Sequence, residues 1–177
     1  QVLTCRRYFD NGDKIAYKKS KTFLPALTFS GEFNGSHKKE NLKTYSNFII
    51  IDIDAIDKEK IEETKGKIFQ DDFTAAVWVS PSGCGLKVLF ISSTAEEHKI
   101  TFDTIAKYLY EKYSVEADKS GSDICRLCFV SYDEYLLFKD DFKLFDYKIF
   151  HATPLFAEKE TNIKKSQTSK FVSNQEI

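Results

Sequence analysis

The sequence predicts an α+β domain in which strands outnumber helices. Short apolar runs rich in β-branched and aromatic residues occur throughout the chain, and the strongest is "NFIIIDID" at 47–54. Only two long segments, 57–70 and 94–113, have apolar residues at helical spacing. The strands do not alternate regularly with helices, as a parallel α/β fold would require, and this favours α+β.

The first third of the chain supplies extended segments. Residues 1–22 are Lys-rich and show no clear hydrophobic period. "TFLPALTFSGEF" predicts an extended segment that turns at Ser30–Gly31, and the polar stretch 35–46 predicts a short helix. "NFIIIDID" then predicts a central strand that is buried on both faces, because four consecutive β-formers leave no polar face.

The middle and end of the chain predict two helices and several strands. In the helix 57–70, Asp57 is the expected N-cap, and Ile61, Lys65 and Ile68 share one face. The helix 94–113 is expected to be capped by Thr94. Strands are predicted on both sides of a Gly-rich turn in 75–92, and again in "ICRLCFVSYD" at 124–133.

Composition indicates one globular domain. The chain has 177 residues, of which 42% are hydrophobic and 30% charged, which is enough for a core. We expect the domain to span 1–150 and the polar residues 151–177 to form a tail or a linker to a following domain. The net charge of −1 gives no overall basic field. No apolar run approaches the roughly 20 residues of a membrane span, so no membrane partner is expected.

Four cysteines are present, and Cys125 and Cys128 have the CxxC spacing of zinc or redox sites. In a strand, however, an offset of three places these side chains on opposite faces. No second CxxC and no His pair completes a zinc site. Reduced cysteines favour a cytoplasmic protein.

An acidic pair ends the strongest strand. Asp52 and Asp54 are two residues apart, so in a strand they point to the same face, about 6.6 Å apart. Two carboxylates so placed can reach one pair of divalent cations, whereas without a cation they repel each other. The alternative is a strand that simply reaches water at Asp52.

Two later elements carry groups that could bind phosphate. "VSPSGCGLKVLF" at 79–90 is a small-residue turn followed by Lys87, in which backbone N–H groups and hydroxyls could cradle phosphate. The alternative is a hairpin turn with a solvated lysine. Further on, Asp118 or Asp123 offers a third acid, and Arg126 is an in-strand arginine that needs a phosphate or a carboxylate partner. The turn residues concerned are Ser80, Ser82, Gly83 and Gly85.

This ordered set resembles the archaeo-eukaryotic primase (primase-polymerase) superfamily. Asp52 and Asp54 match its acidic pair, Asp118 its later single acid, and "SPSGCGLK" its small-residue turn, although Lys87 stands where most members have His. "LPALTFSGEF", "IIIDIDAI" and "RLCFVSYD" are more closely similar to the N-terminal domain of virulence-associated-E-type primase-helicases of mobile elements and phages. Related primase-polymerases also occur beside CRISPR adaptation genes.

The resemblance implies an RRM-like antiparallel sheet packed with a smaller α/β unit, and nucleotidyl transfer that depends on two Mg²⁺ or Mn²⁺ ions. Asp52, Asp54 and Asp118 would be the catalytic metal ligands. The partners would be NTP or dNTP, a single-stranded DNA template with a primer, and a downstream helicase or primase C-terminal domain. The triphosphate would be held by Ser80, Ser82, Gly83, Gly85, Lys87 and Arg126.

Two alternatives stay open. The chain could be a non-catalytic nucleotide- or nucleic-acid-binding module of a replication helicase. It could also be a metal-dependent nuclease or replication initiator, but such enzymes more often use a His-x-His pair, whereas His37, His98 and His151 are scattered.

Overall fold

The computed structural model describes residues 1–92 and 97–151 and has an α+β architecture. A first compact unit comprises Gln1–Phe145, and a second begins at Asp146. Of the predicted polar tail 151–177, His151 ends the last helix, and residues 152–177 lie outside the described residues. The helices are α1 Val2–Asp10, α2 Lys14–Lys21, α3 Ile61–Phe69, α4 His98–Tyr113 and α5 Tyr147–His151. The strands are β1 Ala26–Thr28, β2 Gly31–Phe33, β3 Leu42–Tyr45, β4 Phe48–Ile53, β5 Thr74–Val79, β6 Leu86–Ile91, β7 Leu127–Phe129 and β8 Leu137–Phe138.

The main sheet is antiparallel and has the order β4-β6-β5-β8. Two smaller antiparallel pairs, β1-β7 and β2-β3, complete the strands of the described residues. The prediction that β4 is a central strand is wrong, because β6 takes the central position between β4 and β5. The Ile run is buried because both faces of β4 are covered, and burial of the faces does not reveal whether a strand has one neighbour or two.

The two faces of the main sheet differ in character. Ile49, Ile51 and Ile53 of β4 point to the core face and are fully buried. The opposite face carries a row of three register partners, Asp52 of β4, Lys87 of β6 and Trp78 of β5. Side-chain alternation along a strand therefore separates the apolar core from the face that carries charge.

The β1-β7 pair lies over this charged face. The ring of Phe29, just after β1, packs against Trp78 with 5.8 Å between centroids. Cys128 of β7 is buried and hydrogen-bonded to Lys87. The β1-β7 pair therefore covers part of the charged row: the side chain of Lys87 is buried, whereas that of Asp52 stays 34% exposed.

The two long helices match their predictions. Ile61, Lys65 and Ile68 of α3 are buried together, as are Ile105 and Leu109 of α4. Thr94, the predicted cap of α4, lies outside the described residues.

The prediction that Asp57 is the N-cap of α3 is wrong, because Lys60 stands at that position. Asp57 stands at the N-cap position of the short 3-10 helix Lys58–Lys60 that precedes α3. Its side chain makes no capping hydrogen bond, and it lies 3.2 Å from the ammonium of Lys60 instead.

Three local features differ from the sequence-based expectation. Residues 1–22 form α1 and α2, which have 9 and 8 residues and are therefore too short for a hydrophobic period to be clear in the sequence. The predicted helix in 35–46 is a single 3-10 turn, Lys39–Asn41, followed by β3. The predicted strand 124–133 is only β7, so Arg126 precedes the strand instead of lying within it.

No helix in the described part of the chain is long and apolar enough to cross a membrane. The four cysteines are all free thiols. Cys128 lies in β7 and is buried, while Cys125 lies in the turn before β7 and is partly exposed.

Candidate functional site

Three carboxylates meet at the end of β4. Asp52 lies within the strand and Asp54 directly follows it, while Asp118 arrives from the segment after α4. The backbone N–H of Asp118 donates to the carbonyl of Asp52 at 2.8 Å, and Ala117 bridges to Ile53. These contacts cover part of the free edge of β4. We call Asp52, Asp54 and Asp118 the acid cluster.

The charges of the acid cluster act on one another. Burial raises the pKa of the Asp54 carboxyl above its ordinary value, and the charges of Asp52 and Asp118 raise it further. Like charges that disfavour each other's ionisation mark a place where added positive charge is stabilising. No local sequence pattern shows this convergence, because Asp118 is distant in the chain, and only the family resemblance grouped it with Asp52 and Asp54.

The third acid of the cluster is Asp118 rather than Asp123. Although partial burial opposes it, hydrogen bonds from the hydroxyl and N–H of Ser120 lower the pKa of Asp118, so this carboxylate stays ionised. Asp123 instead pairs with Arg126 at 2.9 Å and accepts the N–H of Cys125 at 3.0 Å. Both carboxylates are thus engaged within their own loop, and it is the charge of Asp118 that acts on Asp54.

Lys87 is a buried counter-ion. It lies opposite Asp52 in the β4–β6 register, is 5% exposed, and places its ammonium 2.5 Å from Oδ1 of Asp52. Burial alone would lower the pKa of Lys87, but the charge of Asp52 and the thiol of Cys128 outweigh it and raise the pKa. The side chain is thus held charged in one place.

The small-residue turn between β5 and β6 is tightly closed on itself. The N–H of Ser80 donates to the carbonyl of Gly85 at 2.8 Å, that of Gly83 to Ser80 at 3.0 Å, and that of Cys84 to Oγ of Ser82 at 3.2 Å. Gly83 has φ +79°, which glycine adopts without strain. These three N–H groups donate within the turn itself, so they do not point to a bound phosphate.

The same turn packs against the acidic pair. A Cβ on Gly85 would lie 2.5 Å from the carbonyl oxygen of Ile53 and 3.2 Å from Oδ1 of Asp54. The carbonyl of Cys84 also accepts the N–H of Ile56 at 3.0 Å. Glycine at 85 therefore allows the turn to support the end of β4 at close range.

Arg126 lies at the rim of the site. Its side chain is 43% exposed, pairs with Asp123 and donates to the carbonyl of Ser120. Its charge contributes to the lowered pKa of Asp118. The arginine therefore neighbours the acid cluster from the solvent side.

Sequence reasoning missed the contribution of α1 and α2. The hydroxyl of Tyr17 is hydrogen-bonded to Ser82, and burial, followed by the charge of Asp54, raises the pKa of the Tyr17 phenol. The ammonium of Lys21 lies over the ring of Tyr17 at 5.9 Å. Arg6 donates to the carbonyl of Ser80 at 3.2 Å. The only available signal was the i, i+4 spacing of Tyr17 and Lys21, which places them on one face once a helix is assumed.

Within residues 1–92 and 97–151, no three or more His, Cys, Asp or Glu side chains are gathered closely enough to form a complete metal site. Asp52 and Asp54 are close enough for their charges to interact, while Oδ1 of Asp52 is taken by Lys87. Protein donors for a cation are therefore limited to part of the acid cluster.

A family model described as "BT4734-like, N-terminal domain" matches residues 19–138. The chain belongs to this family. The match runs from the end of α2 to β8, so the BT4734-like region contains the acid cluster and Lys87, whereas Tyr17 precedes it. Comparison with curated proteins and with solved structures finds no match for the chain.

Proposed function

We propose that this BT4734-like domain is a metal-dependent nucleotidyltransferase, a DNA/RNA primase-polymerase that makes or extends primers on a nucleic-acid template from NTPs or dNTPs. The observation that carries the proposal is the convergence of Asp52, Asp54 and Asp118 beside the buried cation Lys87. The resemblance of the ordered motifs to primase-polymerases supports the same function.

The donor chemistry fits Mg²⁺ or Mn²⁺. Both ions prefer carboxylate oxygens, and Mg²⁺ is commonly held by one or two carboxylates together with water and substrate phosphates. Asp52 and Asp54 supply that number of protein ligands, and Asp118 would complete the set. The raised pKa of Asp54 supports this fit, because a cation would relieve the repulsion that raises it.

In the proposed reaction, the 3′-hydroxyl of a primer or initiating nucleotide attacks the α-phosphorus of the incoming nucleotide. A new O–P bond forms, the bond to the bridging oxygen breaks, pyrophosphate leaves and the hydroxyl proton passes to water. When bound, the metal ions would activate the hydroxyl and neutralise the leaving oxygen. The protein's own task is to position these groups on a rigid strand end.

The residues proposed to bind phosphate would contribute in different ways. Lys87 fixes Asp52 and lends positive charge to the site. The side chain of Arg126 is exposed at the rim, where it can reach a phosphate. Gly83 and Gly85 keep the turn small, and the hydroxyls of Ser80 and Ser82, 2.9 Å apart, form its polar inner side.

A non-catalytic nucleotide- or nucleic-acid-binding module is the second candidate function. The pairing of Lys87 with Asp52 at 2.5 Å favours it, because this ion pair uses an oxygen that a metal would need. In either case the proposed partners are a DNA template and a downstream helicase or primase C-terminal domain in a mobile-element or phage system. A nuclease has weaker support, since His98 is hydrogen-bonded to Tyr45 and His37 lies in an exposed loop.

A primer-synthesis and extension assay tests the proposal. The wild-type chain, Asp52→Asn/Asp54→Asn and the control Asp57→Asn are incubated with labelled NTPs or dNTPs, template and Mg²⁺ or Mn²⁺. Loss of the metal-binding pair should reduce incorporation by at least about a hundredfold, since metal catalysis supplies several kcal/mol. Asp57 is exposed and three residues from Asp54, so its variant should keep wild-type activity.

The remaining outcomes separate the candidates. Incorporation that survives in the double variant overturns the assignment of Asp52 and Asp54. Nucleotide binding without incorporation under either metal supports the non-catalytic module.

A further inference from the structure

Besides Lys87 and Arg126, the acid cluster has a third cation beside it that the proposed function leaves unassigned. This cation is Lys21, the last residue of α2, and its side chain is half-buried. Its ammonium lies 5.4 Å from the ring centroid of Phe129 in β7 and 5.9 Å from that of Tyr17. Two rings from different elements therefore hold one positive charge at the site.

Lys21 is close enough to the acid cluster for their charges to interact. Its charge lowers the pKa of Asp54 and, more weakly than the hydrogen bonds from Ser120, that of Asp118. Among the described residues, however, no carboxylate lies within ion-pair distance of its ammonium, and aromatic faces are its near neighbours. A partly desolvated ammonium without an anion partner binds an arriving anion with little competition.

Lys87 and Lys21 therefore differ in their availability. Lys87 is buried and engaged by Asp52 and Cys128, so it acts as a fixed counter-ion of the protein itself. Lys21 keeps its three donor hydrogens for another group. Lys18 and Lys19 belong to the same helix but are exposed to solvent, so they lack this enclosure.

We propose that Lys21 binds the β- and γ-phosphates of the incoming nucleotide and so makes the site selective for triphosphates. This inference rests on the proposed nucleotidyltransferase function and assigns a substrate-binding residue to that site. Tyr17 acts as a positioning residue, because its hydroxyl is tied to Ser82 in the turn while its ring lies beneath the ammonium. α2 thereby becomes one wall of the site.

Calorimetric titration of the whole chain tests the inference through binding rather than turnover. ATP, ADP and AMP, and in parallel dATP, dADP and dAMP, are titrated with MgCl₂ and without template into wild type, Lys21→Gln, Lys21→Arg and the control Lys19→Gln. We expect Lys21→Gln to weaken triphosphate binding at least about tenfold, because a charge-assisted hydrogen bond is lost. Monophosphate binding should change less than about twofold. Lys21→Arg and Lys19→Gln should stay near wild type.

The outcomes are distinct. If the wild type incorporates nucleotides and Lys21→Gln binds triphosphate as well as the wild type does, the inference is overturned and the proposed function stands. Equal weakening for mono- and triphosphate also overturns it, since selectivity is then not set by Lys21. If the wild type binds no nucleotide and incorporates none with either metal, the proposed function and this inference fail together. Thermal unfolding of each variant checks that its fold is intact.

Discussion

Replacing Gly85 with alanine tests the close contact between the β5–β6 turn and the acidic pair. The new methyl group would meet the carbonyl oxygen of Ile53 at 2.5 Å and Oδ1 of Asp54 at 3.2 Å. A backbone carbonyl in a strand cannot move away as the end of a flexible side chain can. The turn or the end of β4 must therefore shift.

The expected loss of unfolding free energy follows from overpacking. Forcing one extra carbon into a well-packed site costs about 1–3 kcal/mol. For a urea slope of about 2 kcal/mol/M, this lowers the midpoint of unfolding by about 0.5–1.5 M. The matched control is Gly66→Ala in α3, where the added methyl group meets no atom within 4 Å. There, alanine in a helix interior should raise the stability by about 1 kcal/mol.

Urea unfolding followed by circular dichroism compares the two variants with the wild type. We expect shifts of opposite sign, with Gly85→Ala less stable and Gly66→Ala more stable. Nucleotide incorporation should also fall in Gly85→Ala, because the displacement reaches Asp54. A Gly85→Ala protein as stable as the wild type would refute the close packing described here, whatever its activity.

Two further predictions concern buried polar groups. Lys65→Met should cost about 3–5 kcal/mol, because Lys65 and Asp133 are 2% and 5% exposed and the variant leaves the carboxylate without its cation. Urea unfolding should separate it from Lys67→Met, whose ion pair with Glu63 is exposed and contributes little to stability, and equal costs for the two would contradict the account. Burial beside Tyr45 lowers the pKa of His98 from 6.5 to about 4 in the folded chain. As the pH drops from 6.5 to 4, the imidazole therefore becomes protonated in the unfolded chain but not in the folded one. The free energy of unfolding should fall over this range. His98→Gln should flatten that part of a stability-versus-pH curve, and an unchanged slope would show that other groups cause it.

The elements that could be predicted from the sequence are those with a strong local period. The helix around Lys65, the strand at 47–54 and the two strands beside the Gly-rich turn all have apolar residues at helical or strand spacing. The edge position of β4 could not be predicted, because it depends on how many strands pair with β4. Pairing of distant strands leaves no trace in the local pattern.

The residues of the candidate site also differ in whether the sequence could predict their positions. The acidic pair and the small-residue turn are adjacent to strands with a strong sequence pattern, so their positions at the strand ends could be predicted from the sequence. The engagement of Lys87 by Asp52 depends on the β4–β6 register. Lys21 and Tyr17 come from α2, whose 8 residues are too few for a clear hydrophobic period, so their i, i+4 spacing was the one sign that they share a face.

The central claim is that the acid cluster holds a divalent cation for nucleotidyl transfer. The most direct measurement is a crystal structure with Mn²⁺ and a non-hydrolysable nucleoside triphosphate, in which anomalous scattering locates the metal. We predict an anomalous peak about 2.0–2.3 Å from carboxylate oxygens of Asp52 and Asp54, with the triphosphate between it and Lys21. An ordered triphosphate bound elsewhere, or bound with no metal at these carboxylates, would contradict the account.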